Sequence, residues 1–216
     1  MMIFLAVATL LWLLTSTDAH NIPLNDIQCP KGSHHGFVQN SYQFYGPLRK
    51  FTDITGSFFD ISWLAGGEIL STTGTNNIPG ATRVGPFDPL SKDPLFNETL
   101  TVYDVGPGTL RFTFTGPGAP LTYHSRTGEV ITFHYYAETQ HYESICGGTA
   151  TYLHATTHIC SDNPALAYDL FCRLHQGTFH GYDALPARVK EKTFTGDCPQ
   201  RSERNPIGRE TVHEEL

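Results

Sequence analysis

The chain has 216 residues, 21 acidic against 14 basic, and a formal net charge of −7 without any basic run. That balance excludes nucleic-acid binding through phosphate neutralisation. The length suits one domain that can bury its core without help from metals.

Residues 1–19 read as a signal peptide. Met1 to Leu14 carries no charge, and the following stretch places small side chains at Thr17 and Ala19, as a cleavage site requires. The apolar run is shorter than the about 20 residues that span a bilayer, and no later run approaches that length, so stable membrane insertion is not expected. Residues 20–55 form an irregular N-terminal segment, broken by Pro23, Pro30, Gly32, Gly36, Gly46 and Pro47.

Residues 56–198 carry the periodic pattern. Strands are expected over Phe58–Leu64, Glu68–Thr73, Ala81–Phe87, Asn97–Val105, Leu110–Thr115, Leu121–Ser125, Glu129–Ala137 and Thr149–Cys160. Tight turns such as Gly106-Pro107-Gly108 separate them. The period then changes. Asn163 followed by Pro164 starts a helix, and Ala167, Leu170, Phe171, Leu174 and Thr178 form one apolar stripe to about His180. Many short strands followed by one long helix indicate an α+β fold, an antiparallel sheet bent around that helix.

Residues 199–216 form a polar tail ending in His213-Glu214-Glu215-Leu216. That ending differs by one methylene from the standard His-Asp-Glu-Leu, so the tail is expected to engage an endoplasmic-reticulum retention receptor. The resulting localisation is the lumen of that compartment, or the outside of the cell. Asn97-Glu98-Thr99 is a glycosylation sequon suited to the same route.

Five cysteines follow the signal peptide, an odd number, and no C-x-x-C occurs. In an oxidising compartment most should pair. Cys146 and Cys160 flank one strand segment and would lie about 45 Å apart if it were flat. The expected bridge is Cys172 to Cys198, tying the tail to the helix.

Several segments together suggest a family. Ile78–Arg83, Asn97–Asp104, Leu110–Phe114 and Gly148–Leu153, followed by the long helix, resemble the START-like (SRPBCC, polyketide-cyclase-like) superfamily over roughly residues 58–185. The resemblance implies a helix-grip: a curved antiparallel sheet wrapped on a C-terminal helix around an apolar cavity. It also implies a small hydrophobic ligand, such as a lipid, sterol or polyketide, and in some members cyclisation or dehydration of what is bound.

Histidines are the first place to seek chemistry. Strand parity puts Tyr152, His154 and His158 on one face, and His134 shares a face with Thr132 and Tyr136. If those faces line the cavity, His134, His154 and His158 are candidate acids or bases, and Tyr152 can hold a developing enolate. The alternative is an outward, solvated face, because a one-residue slip exchanges the two sides. Arg83 and Glu68 are candidate buried anchors for a ligand, and Trp63, Phe112, Phe114 and Phe171 are candidate wall residues. His154 and His158 would be about 13 Å apart on a strand, so no metal centre is expected from them. No cofactor is expected. The function expected from these features is a lumenal small-molecule-binding protein with cyclase, isomerase or dehydratase chemistry on a polyketide- or terpenoid-like compound. Lipid or sterol carriage without catalysis, or a secreted interaction protein, are the alternatives.

Overall fold

The structure, a computed structural model, describes residues 27–64, 67–88, 91–116, 120–125, 127–180 and 185–198. The signal peptide and the retention-like tail lie outside those residues. The segment expected to be irregular holds two elements, strand β1 (His34–Tyr45) and helix α1 (Leu48–Thr55). Six strands follow: β2 (Ser71–Thr73), β3 (Thr82–Asp88), β4 (Ser91–Gly106), β5 (Thr109–Gly116), β6 (Leu121–His124) and β7 (Val130–Ile145). Strand β8 (Ala150–Ser161), the long helix α2 (Pro164–His180), the short α3 (Leu185–Val189) and strand β9 (Thr193–Phe194) complete the described chain.

All nine strands form one sheet, in the order β2-β3-β4-β5-β7-β8-β1-β9, with β6 paired to β7 off that path. Every described pairing is antiparallel. Strand β1 is therefore integral to the domain rather than a leader to it, and the fold starts well before residue 56. Its glycines and polar residues hide a strand that pairs residue for residue with β8, from His34 against Ser161 to Tyr45 against Ala150. Phe58–Leu64, expected as a strand, forms turns instead. Its aromatic residues are there to fill the core: Phe58, Ile61 and Trp63 are all buried.

Helix α2 has the predicted bounds, and Asn163 caps it by accepting the Leu166 N–H at 3.2 Å. It packs across β1, β8 and β7 on the inner face of the sheet. The buried stripe is Ala167, Phe171, His175, Thr178 and Phe179. It is shifted from the predicted one: His175 and Phe179 join it fully buried, while Leu170 and Leu174 are half-buried at its edge. Inner positions of β8, namely Thr151, Leu153, Ala155, Thr157 and Ile159, are fully buried.

Between β7 and β8 the chain reverses at Gly147 and Gly148, with φ of 64° and 88°. Two disulfides join Cys29 to Cys160 and Cys146 to Cys198, with Cα–Cα distances of 5.3 and 5.4 Å. The expected Cys172–Cys198 bridge does not form, and Cys172 is a free thiol. Topology explains the difference. Strand β9 pairs with Gln43 and Phe44, at the end of β1 that lies against the start of β8. Cys198 is thereby carried to Cys146, away from the middle of α2. Such bridges suit an oxidising compartment, extracellular or lumenal. Among the described residues, no helix is long and apolar enough to cross a membrane.

Candidate functional site

The inner face of the sheet is mostly apolar, and its buried charged side chains gather in one region. There a cavity of about 100 Å³ is enclosed by Ile61 and Leu64 from the turns, Phe87 and Phe96 from β3 and β4, Phe114 from β5 and Phe171 from α2. Four ionisable side chains also line it: Arg83, Glu98, Tyr136 and Glu138. Burying such groups is costly unless they are paired, and here they are.

Arg83 on β3 and Glu98 on β4 are register partners, with Nε 2.7 Å from Oε2. The guanidinium also donates to the Phe58 carbonyl at 2.8 Å. It lies over both the Phe58 and the Phe114 rings, 4.3 and 4.6 Å from their centroids. Tyr136 donates its hydroxyl to Glu98 Oε1 at 2.8 Å. Gly116 makes room for that ring, because a Cβ there would be driven into it.

A second set adjoins the first. Gln140 donates to Glu138 Oε1 at 2.8 Å, and Tyr142 donates to Gln140 Oε1 at 3.0 Å. His175 Nε2 lies 3.3 Å from Glu138 Oε2, and its Nδ1 lies 2.9 Å from Asn40 Oδ1. Arg83, Glu98, Glu138 and His175 are 4%, 7%, 6% and 1% exposed, so water does not screen these contacts.

The two carboxylates are pushed apart. Burial raises Glu98 above the ordinary carboxylate range, against the pull of Arg83 and the Tyr136 hydrogen bond. At Glu138 burial also works upward, but His175, Gln140 and Arg83 outweigh it and the group ends lowered. Burial, with Glu98 adding to it, holds the Tyr136 hydroxyl well above its usual value. Both oxygens of Glu98 accept, from Arg83 and from Tyr136, so it is held as a paired carboxylate, whereas the lowered carboxylate of Glu138 is suited to accept a proton.

Of the expected site residues, Arg83, Phe114 and Phe171 are buried and line this cavity. Trp63 and Phe112 are buried in the core outside the cavity lining. Glu68 is not among the lining residues.

The histidine expectation is corrected. Tyr152, His154 and His158 alternate with the buried inner residues of β8 and so lie on the outer face. There His158 Nδ1 lies 3.1 Å from His35 Nε2 with the rings stacked, and Tyr152 donates to Ser41 at 3.0 Å. Burial, then neighbouring His35, lowers His158; burial, then His141, lowers His154. His134 falls in a bulge, where the register shifts between Phe133 and Tyr135. That extra residue breaks the expected parity, so Tyr136, Glu138, Gln140 and Tyr142 turn inward without it. Glu98 was within reach of sequence reasoning, since it alternates with Phe96 and Leu100. His175 was within reach too, since it follows Phe171 by four residues and Ala167 by eight on the buried stripe of α2. Asn97, next to Glu98 on the opposite face, is exposed.

No family model and no curated protein matches the chain. Solved structures do. An uncharacterized protein from Bacillus thuringiensis is similar at a TM-score of 0.50 and 14% identity, over 72% of this chain and 99% of that one. A protein from Nitrosospira multiformis is similar at a TM-score of 0.48 and 18% identity, over 71% of this chain and 92% of that one. Truncated norcoclaurine synthase from Thalictrum flavum is similar at a TM-score of 0.45 and 11% identity, over 73% of this chain and 92% of that one. With its open antiparallel sheet closed over one long C-terminal helix, the chain has the helix-grip architecture expected from its sequence and shares its fold with the Bacillus thuringiensis protein.

Proposed function

We propose that this protein binds a small molecule in its interior and performs acid–base chemistry on it, of the cyclase, isomerase or dehydratase kind. One observation carries the reading: Arg83, Glu98, Tyr136 and Glu138 converge on a single cavity. In the proposed roles Glu138 is the base, while Arg83, held in place by Glu98, and Tyr136 stabilise negative charge that develops on an oxygen. Lipid or sterol carriage is less well supported, because a carrier has no use for four ionisable ends in its pocket.

The cavity volume, about 100 Å³, equals the share of roughly three water molecules and is well below the roughly 300–1,000 Å³ of drug-sized ligand sites. A compact ligand, or the reacting end of a polyketide- or terpenoid-like one, fits the described shape. A larger ligand would displace Ile61 and Leu64, which are held by turn bonds such as Leu64 N–H to the Ile61 carbonyl rather than by a strand ladder.

The proposed setting is the secretory route, with cleavage after Ala19, glycosylation at Asn97 and retention through residues 213–216. The two disulfides and the exposure of Asn97 support it. Native mass spectrometry of protein purified from its host tests the ligand reading. A co-purifying small molecule is expected, and masses of protein and glycan alone would overturn it. Deleting residues 213–216 should move the protein into the medium, and a full-length protein already found there would refute retention.

A further inference from the structure

Phe58 gives Arg83 both a carbonyl acceptor and a ring, yet it lies in the turns between α1 and β2, outside any strand ladder. Its place is fixed by side chains from another part of the chain. Asn77, in the loop between β2 and β3, accepts the Phe58 N–H on Oδ1 at 2.9 Å. Asn77 Nδ2 donates to the Gly56 carbonyl at 2.9 Å and to the Tyr103 hydroxyl at 3.0 Å. That hydroxyl donates in turn to the same Gly56 carbonyl at 2.5 Å. Asn76 repeats the pattern beside it, accepting the Phe59 N–H at 3.1 Å and donating to Ser57 Oγ at 2.9 Å. Two consecutive amide side chains thus grip residues 56–59.

We propose that Asn77 is a positioning residue for Arg83, acting through Phe58. This rests on the acid–base reading above, in which Arg83 meets charge developing on a ligand oxygen. Glu98 takes the Nε edge of the guanidinium at 2.7 Å, and one such contact leaves a planar group free to swing about it. The Phe58 carbonyl takes Nη1 at 2.8 Å, and the guanidinium lies 4.3 Å over the centroid of the Phe58 ring. Those two contacts set the plane of the group, and Asn77 sets Phe58. The line runs from Asn77 Oδ1 to the Phe58 N–H, and from the Phe58 carbonyl to Arg83 Nη1.

Two features favour positioning over a merely local turn contact. Asn77 has φ of 63°, in the left-handed region where glycine is the default and asparagine is one of the few side chains tolerated. Glycine would satisfy that backbone, so what asparagine adds is its amide, and the amide is spent on residues 56, 58 and 103. The second feature is the lack of a substitute. Among the described residues, neither the N–H nor the carbonyl of Phe58 has a backbone partner. A charge that must meet a reacting oxygen has to be held within about 0.5 Å, and here side chains alone can hold it.

Nitrogen-15 spectra of the arginine side chains, with amide hydrogen exchange, test this in the full chain without a ligand. In the unaltered protein the Arg83 Nη protons should give separate, slowly exchanging signals, as a guanidinium gripped on two edges does. Asn77→Gly keeps the left-handed backbone and removes the amide. It should speed exchange at the Phe58 N–H roughly tenfold or more and move or broaden the Arg83 Nε–H signal. Asn77→Asp, which keeps the acceptor for the Phe58 N–H, should restore most of both. Asn163→Ala removes the α2 cap and none of these contacts, and should change neither. A freely rotating Arg83 in the unaltered protein would overturn the proposal whether or not any variant folds. So would an Arg83 signal indifferent to Asn77→Gly, or one that answers equally to Asn163→Ala. The ligand experiment fails independently. Arg83 held as described in a protein that binds nothing would remove the acid–base reading and leave the positioning, whereas a mobile Arg83 in a ligand-bearing protein would remove the positioning alone.

Discussion

Arg83 and Glu98 face each other directly across β3 and β4, and their salt bridge is almost wholly withdrawn from water. A buried pair of this kind is weak evidence for stability, because desolvation offsets most of the attraction, yet removing one member strands the other. Arg83→Met or Glu98→Met alone should cost about 3–5 kcal/mol in urea unfolding, and the double variant should recover most of that loss. Additive losses in the double-mutant cycle would show that the two side chains do not act as a pair.

The two carboxylates should write opposite slopes into the pH dependence of stability. Glu138 is lowered in the folded state, so its contribution is present above its unfolded pKa and is lost as pH falls through the folded value. Glu98 is raised, so its contribution is complete below its unfolded pKa and is lost as pH rises through the higher folded value. Melting curves from pH 3 to 8 should therefore flatten on the acid side in Glu138→Gln and on the less acid side in Glu98→Gln. Identical profiles in all three proteins would contradict the assignment.

Cysteine connectivity separates the observed bridges from the expected one. Non-reducing peptide mapping should link Cys29 to Cys160 and Cys146 to Cys198, with Cys172 recovered as a free thiol. Loss of either bridge should cost about 2–5 kcal/mol, since each closes a long loop. Cys172→Ser should leave the melting temperature nearly unchanged.

Inner and outer polar groups can be told apart by function. Once a ligand is identified, Glu138→Gln should lower turnover by about 10²–10⁴-fold, the usual contribution of a positioned acid or base. His154→Ala and His158→Ala should leave it intact, because both lie on the outer face. Abolished turnover in a well-folded His158→Ala would move the chemistry to that face.

The α+β architecture was legible because two kinds of periodicity survive in the chain. Alternation in β5 and β8 and the capped start of α2 depend on local pattern alone, and Asn163-Pro164 marks the helix start correctly. Where packing overrides pattern, reading failed. Strand β1 has few apolar residues to declare it, since its stability comes from a full ladder with β8 and from Val38 and Phe44 buried within it. The turns around Phe58 mimic a strand because their aromatics answer to the core, not to a pleat. Within the site, Arg83 was found by its type and Tyr136 was placed on a candidate cavity face, whereas the bulge at His134, which sequence does not mark, took His134 off that face. His175 lies four residues after Phe171 and eight after Ala167, on the stripe that packs inward, but its polar ring kept it out of an apolar count.

The two disulfides also determine how the described chain would bear a pull applied at its ends. From Cys29 the shortest covalent route runs through the bond to Cys160, back along β8 to Cys146, and through the second bond to Cys198. Tension would thus pass along residues 146–160, a tether of about 50 Å at full stretch, instead of the roughly 580 Å of the reduced chain. The cavity-bearing strands hang from that tether as closed loops, out of the line of force, and only a reductant would put them in it.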